Sequence, residues 1–152
     1  MQRALAVVEP TETAKTLLRE AGELSAGVDA ELILVYGTTE EEYNERREDM
    51  ARIPDIDTTY SLDQALDGAR RFAKDMGRDV LTDVDVDWEA VGRIGEKADE
   101  VLALADERDC DHIFIAGRDR SPTGKAFFGD DTQRVILDAE VPVTVLTAHD
   151  NV

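Results

Sequence analysis

The residues best equipped for chemistry lie together between Ala116 and Gln133, in the stretch AGRDRSPTGKAFFGDDTQ. It holds three glycines, Ser121, two threonines and the bases Arg118, Arg120 and Lys125, inside a chain whose formal charge is −18. Glycines let a backbone approach an anion closely, and hydroxyl, guanidinium and ammonium groups donate to it, so the chemistry suggested is phosphate binding. A P-loop is excluded. That motif requires G-x4-G-K-[ST], whereas six residues separate Gly117 from Gly124, and Lys125 is followed by Ala126, which offers Mg2+ no hydroxyl.

Other reactive side chains form no convincing set. Cys110, Asp111 and His112 are adjacent, but neighbours in an extended strand point in alternate directions and cannot converge as nucleophile, base and orienter. Asp111 is expected to close a helix-to-strand turn, and His112 to begin the strand as a structural imidazole. His149 lies in a polar tail. With two histidines and one cysteine there is no metal-ligand cluster, so Mg2+ would arrive only with a nucleotide. The acidic runs DVDVD and EEE read as solvated surface, not as a carboxylate tuned for acid-base work. No catalytic residue emerges, although slow nucleotide hydrolysis stays open.

The elements that must position the glycine-rich stretch follow from hydrophobic periodicity. ALAVVEP and AELILVYG are short apolar runs closed by Pro10 and Gly37, and read as strands buried on both faces. Between them Ala14, Leu17, Leu18, Ala21 and Leu24 recur at helical spacing up to Gly27. Residues Thr38 to Tyr60 are charged and predict a mobile or partly helical connection. A second helix opens at a candidate cap, Ser61, repeats Leu62, Ala65, Leu66, Ala69 and Phe72, and stops at Gly77. VDVDWEAV alternates from Val84 as a strand at or near a sheet edge, and EKADEVLALADERD is helical. HIFIAG, DTQRVILDAE and VPVTVLTA then give a strand, a helix and a last strand. The succession β-α-β-connection-α-β-α-β-α-β implies a five-stranded parallel sheet with helices on both faces. If the first and fourth strands are neighbours, Glu9 and Gly117 flank a crevice beyond their carboxyl ends, and the final helix aims its N-terminus there.

Composition sets the outer bounds. A chain of 152 residues, 42% hydrophobic and 34% charged, reads as one domain over residues 1–148 followed by a polar tail at 149–152. Neither a secretory signal nor a membrane-spanning run is recognisable, which predicts a cytoplasmic protein. Asp and Glu number 35 against 17 Lys and Arg, which argues against nucleic acid and anionic membranes as partners. Lysine occurs only at positions 15, 74, 97 and 125, and an acid-rich, lysine-poor surface suits multimolar cytoplasmic salt. Cys110 reads as a buried thiol. Trp88, Phe127 and Phe128 read as packing residues, too few in this acidic context for a base-stacking surface.

From VDVDWEAV through the glycine-rich stretch to PVTVL the chain resembles the universal stress protein family, and LAVVEP and AELILVYG fit that family's first two strands. The charge pattern suggests a salt-adapted, haloarchaeal-type member. The resemblance implies a Rossmann-like, adenine nucleotide alpha hydrolase-like sheet of order 3-2-1-4-5 and a homodimer joined through the last strand, at Val143, Thr144, Val145 and Leu146. In one subgroup it also implies ATP, with Mg2+, held by G-x2-G-x9-G-[S/T]. Gly117 and Gly129 match the first and third glycines, Arg120 stands near the second, and the segment between is one residue short. Asp130 replaces the phosphate-facing hydroxyl residue, Thr132 matches a hydroxyl position, and Glu9 stands where the family has aspartate. The implied nucleotide contacts are therefore Glu9, Gly117, Arg118, Arg120, Ser121, Lys125, Gly129, Asp130 and Thr132. Against this, Asp130 with Gln133 forms a capping-box pattern that would occupy the helix N–H groups. Two readings follow: a stress-response regulatory domain that binds ATP between the first and fourth strands, or a nucleotide-free dimeric interaction module of the same fold.

Overall fold

Runs of Val, Ile, Leu and Ala whose side chains are apolar on both faces pair as inner strands of a parallel sheet, because helices must cover each face. The computed structural model describes residues 1–52, 61–117 and 128–147. Its strands β1 (Arg3–Val7), β2 (Glu31–Thr38), β3 (Trp88–Ile94), β4 (His112–Gly117) and β5 (Val143–Thr147) form one parallel sheet of order β3-β2-β1-β4-β5. Helices α1 (Glu12–Gly27), α3 (Leu62–Val80), α4 (Lys97–Glu107) and α5 (Asp130–Asp138) supply the crossovers, and α2 (Glu40–Ala51) follows β2.

Alternation along the central strands divides the interior into two layers. Ala4, Ala6, Leu32, Leu34 and Phe114 meet Leu17 and Leu18 of α1 and Ala73 and Met76 of α3 on one face. On the other, Leu5, Ile33, Val35, Ile113 and Ile115 meet Val101 and Leu104 of α4 and Val135 of α5. The face assignments follow from the period of two along each strand and 3.6 along each helix.

Several boundaries depart from sequence expectation, each for a physical reason. The strand expected from Val84 begins at Trp88. Val84 and Val86 instead lie in tight backbone turns, with Val84 N donating to Leu81 O at 3.1 Å and Val86 N to Val84 O at 3.1 Å, while both side chains still pack on the core. Helix α3 does not stop at Gly77 but runs to Val80. A Cβ on Gly77 would lie 2.7 Å from Trp88 Cη2 and 2.8 Å from Leu34 Cδ1, so the missing side chain serves close packing, not termination. Leu24 and Leu62 share the spacing of their apolar faces yet are 51% and 52% exposed. The charged connection contains α2, which buries no residue and is held locally by Thr39, whose hydroxyl accepts from Glu42 N, and by Glu40, Glu41 and Glu42 in its first turn. Residues 53–60 of that connection lie outside the described residues. The Ser61 cap is realised as a full capping box with Gln64.

Asp111 performs a tie that its turn position only hinted at. Its carboxylate accepts from Gln2 N at 2.8 Å and Arg3 N at 3.2 Å, fastening the start of β1 to the start of β4. The Gln2 amide, with the Arg3 amide behind it, holds its pKa below the ordinary carboxylate range. Cys110 is buried, and burial pushes its thiol pKa up, as expected of an inert core cysteine.

Two outcomes are expected in chemical denaturation. Gly92→Ala should destabilise the protein by roughly 1–3 kcal/mol, because its Cβ would sit 2.4 Å from Leu66 O and 2.5 Å from Arg70 N. Gly68→Ala, in open space within α3, should stabilise by about 0.5–1 kcal/mol. A group whose folded pKa is depressed stabilises above its unfolded pKa, and that contribution is lost as pH falls through the folded value. Asp111→Asn should therefore cost roughly 1 kcal/mol near pH 7, and the gap from wild type should close as pH is lowered below about 4.

Candidate functional site

The site is made by the order of the strands. β1 pairs with β4 in the register Ala4↔His112, Leu5↔Ile113 and Ala6↔Phe114, and continuing that register brings Glu9 beside Gly117. From β1 the chain crosses by α1 to β2, and from β4 it crosses by α5 to β5 on the other side. The two connections diverge at the carboxyl ends and leave a crevice there, the place where open α/β sheets hold ligands. It has a volume of about 810 Å3 and is lined by Glu9, Tyr36, Glu42, Lys97, Gly117 and Phe128, with Gly129 to Thr132 closing one end.

Gly129 is the N-cap of α5, with φ 86° and ψ 154°. This left-handed φ is one that glycine adopts without the steric cost a Cβ would bring. The expected capping box between Asp130 and Gln133 is absent. Asp130 occupies the first helical position instead, no side chain among the described residues caps the helix, and Gln133 N donates to Gly129 O at 2.9 Å. Asp130 and Asp131 are exposed at the mouth of the crevice. Thr132 is buried, and its hydroxyl donates to Ala116 O at 2.9 Å. It therefore anchors the first turn of α5 to the end of β4, and its proton is directed at that carbonyl.

The α4 N-terminus stands beside that of α5. Arg134 of α5 pairs with Glu96 at 2.6 Å and also with Asp99, locking the first turn of α4 against α5. Lys97, the first residue of α4, is half-buried and lines the crevice. At the far end burial raises the pKa of Tyr36, and the carboxylates of Glu42 and Glu9 raise it further, so the phenol stays protonated and able to donate.

Of the residues singled out from sequence, Glu9, Gly117, Gly129, Asp130 and Thr132 come together here. Arg118, Arg120, Ser121, Lys125 and Phe127 lie outside the described residues. Phe128 lines the crevice beside Gly117, with its Cδ1 3.3 Å from where a Cβ on that glycine would be. Sequence reasoning missed Lys97, Tyr36 and Glu42. Lys97 carried a usable signal, since a cation in a helix's first turn opposes the macrodipole and invites another explanation.

Cys110 and His112 lie at the opposite end of β4 from the crevice. His112 Nε2 is 2.7 Å from Thr144 Oγ1 and its ring stacks on Phe114 at 4.6 Å, while burial lowers its pKa and keeps it neutral. Among the described residues no group of three or more His, Cys, Asp or Glu side chains is placed to hold a metal ion.

A parallel sheet of this order with a crevice at the divergence of its crossovers defines a Rossmann-like α/β protein. The model of the universal stress protein family matches residues 1–147, and the chain belongs to that family. Among solved structures it is similar to a universal stress protein from Archaeoglobus fulgidus, 27% identical, covering 95% of this chain and 97% of that one with a TM-score of 0.60. It is also similar to a universal stress protein in complex with cAMP, at 15% identity, 96% of each chain and a TM-score of 0.62. A further match is the universal stress protein from Archaeoglobus fulgidus in complex with dAMP, at 22% identity, 95% and 96% coverage and a TM-score of 0.54. No curated protein matches the chain.

Proposed function

We propose that this protein is a cytoplasmic regulatory domain that binds an adenine nucleotide in the crevice between β1 and β4 and is not a dedicated catalyst. The observation that carries this reading is the start of α5. Its N-terminus faces a crevice of about 810 Å3 and is capped by no side chain among the described residues, which leaves backbone N–H groups and the helix dipole for an anion. Support comes from relatives of the same fold in complex with cAMP and dAMP. In this reading Gly117 and Gly129 let backbone approach the phosphate, Arg118, Arg120, Ser121 and Lys125 contribute from the loop between them, and Glu9 meets the ribose or base. ATP, carried with Mg2+, is the triphosphate member of this ligand class. The non-catalytic part of the reading rests on the placement of Cys110 and His112 away from the crevice. The same absence of a cap argues against the nucleotide-free module, which needs Asp130 to occupy the α5 N–H groups.

Two further parts of the proposal concern the assembly and its medium. β5 pairs with β4 on one side and forms an edge of the sheet, with Val143, Val145 and Leu146 half-buried and Thr144 exposed. An apolar edge of this kind is covered most simply by a symmetry-related copy. A charge of −18 on 152 residues repels itself at low ionic strength and is screened within a few ångströms in multimolar salt, which suits a salt-adapted protein.

Mass spectrometry of small molecules released from the purified protein should detect an adenine nucleotide, and titration in multimolar KCl should saturate. Gly129→Val should abolish binding, since valine is strained at φ 86° and intrudes where the phosphate approaches. Absence of binding at millimolar nucleotide would instead favour the interaction module. Light scattering in the same buffer should give about twice the 16.8 kDa of one chain. A monomer at micromolar concentration would remove the dimer from the reading.

A further inference from the structure

A groove of about 490 Å3 lies at the other end of the sheet from the crevice, between the C-terminal ends of α4 and α5 and the start of β4. Its floor is apolar. Ala105, Cys110 and Ile113 form the buried part, and Leu102, Ala139 and Val141 are half-buried around them. The last turn of α5, which walls the groove, also leaves Ile136 37% and Leu137 72% exposed, the latter the most exposed large apolar side chain among the described residues. Above the floor stand four exposed carboxylates, Asp106 and Asp109 on the α4 side and Asp138 and Glu140 on the α5 side, and no base among the described residues lines the groove.

These carboxylates do not serve the helices that carry them. A helix C-terminus bears partial negative charge, so acids at the ends of α4 and α5 have the destabilising sign, and neither last turn holds a base. The neighbouring charges are used differently. Glu107 pairs with Arg93 and Arg108 with Glu89, whereas at the groove only Asp138 has a partner among the described residues, Arg134 Nε at 3.6 Å.

An apolar floor inside a solvated, charged rim is the anatomy of a protein-protein contact, in which an anchoring side chain fills the floor and the rim excludes water. The sign of the rim selects the occupant. A second copy of a chain of charge −18 would bring acid against acid, and nucleic acid or an anionic lipid surface is repelled in the same way. We infer that the groove docks a segment of another protein that presents a leucine-sized apolar side chain flanked by arginine or lysine. The apolar side chain seats over Ile113 and Val141, and the flanking bases meet Asp106 and Asp109 on one wall and Asp138 and Glu140 on the other. This goes beyond the nucleotide reading and does not depend on it, because groove and crevice lie at opposite ends of β4.

The probe is a fluorescent octapeptide with a central leucine pair flanked on each side by arginine and lysine, titrated at the lowest KCl concentration that keeps the protein folded. It is expected to bind one to one and to shift the backbone amide resonances of Asp109, Cys110, Ala139 and Val141, with those of Glu9 and Gly129 unmoved. Replacing its leucines by serine should weaken binding at least about tenfold, because the floor then gains no apolar cover. Asp106→Asn combined with Asp109→Asn and Glu140→Gln should weaken it by about tenfold. Asp63→Asn combined with Asp79→Asn and Asp85→Asn removes the same charge from exposed residues elsewhere and should leave binding unchanged. Thermal melting checks that both variants keep the fold, and asparagine tolerates the left-handed φ of 54° at Asp109. Equal binding of the leucine and serine peptides, or equal losses in the two variants, would reduce the effect to attraction by the whole acidic surface and overturn the inference. Resonance shifts confined to the crevice, or no saturable binding, would overturn it too. A dimer in light scattering that the peptide dissociates would place a second copy in the groove instead, against the inference.

Discussion

The parallel pairing of β1 with β4 is the constraint from which the rest of the molecule takes its form. These strands are more than a hundred residues apart in sequence, yet they lie side by side at the centre of the sheet. Their neighbours lie on opposite sides, β2 beyond β1 and β5 beyond β4, so the connections leaving their carboxyl ends must part company. A crevice at that point is a consequence of chain order and needs no special loop. Asp111 reinforces the arrangement at the other end, since a single carboxylate accepts from the amides of Gln2 and Arg3 and fixes the start of both strands. Thr132 does the equivalent work at the crevice by tying α5 to Ala116. The start of the central pair and the end of β4 are thus each held by a side chain that bonds to backbone, which is more directional than packing alone.

Charge is handled differently in the interior, at the surface and in the crevice. The interior is built from aliphatic residues and small alanines, with Ser25 and Thr132 as the buried polar side chains among the described residues. On the surface, arginines bridge elements: Arg3 to Glu31, Arg19 to Asp83, Arg93 to Glu107 and Arg108 to Glu89. Each such pair is exposed and contributes little alone, but the planar guanidinium gives register where a lysine would give only charge. Lys97 departs from this habit in both its residue type and its lack of an ion-pair partner among the described residues.

Most of the architecture was legible because a parallel sheet buries both faces of its inner strands. ALAVV, LILV and IFIA are unbroken apolar runs, and the comparable run in α4, VLALA, is set apart by the charged residues on both sides of it. What failed was decided by contacts between distant elements. Gly77 looks like a helix stop until Trp88 and Leu34 are seen to occupy the space its side chain would need. Helix α2 has no apolar periodicity to detect, because it buries nothing and is specified by its cap and its three first-turn glutamates. At the site, Gly117, Gly129 and Glu9 were recoverable from the loop composition and strand ends. The capping pattern at Asp130 misled by one residue, since Asp-x-x-Gln reads the same whether the aspartate precedes the helix or begins it. The backbone of Gly129 decides between them, and sequence does not print φ. Lys97 lay out of view because it joins the crevice only through strand order and the packing of α4 on α5.

The uncapped helix ends show how this fold divides stability from recognition. Capping α5 with Asp130 would add roughly 1 kcal/mol of local stability, but it would fill the N–H groups with the protein's own anion. Shifting the helix start to Gly129 keeps those groups directed at the crevice, and the lost restraint is offset by Thr132, which anchors the same turn from the side through Ala116. The α4 terminus follows the same logic. Arg134 holds Glu96 and Asp99 from outside, so the turn is fixed without a capping side chain lying across its end. Both termini are restrained laterally, and no side chain among the described residues caps either end. For the ligand proposed above such preorganisation is favourable, because ordering these turns on binding would subtract directly from affinity.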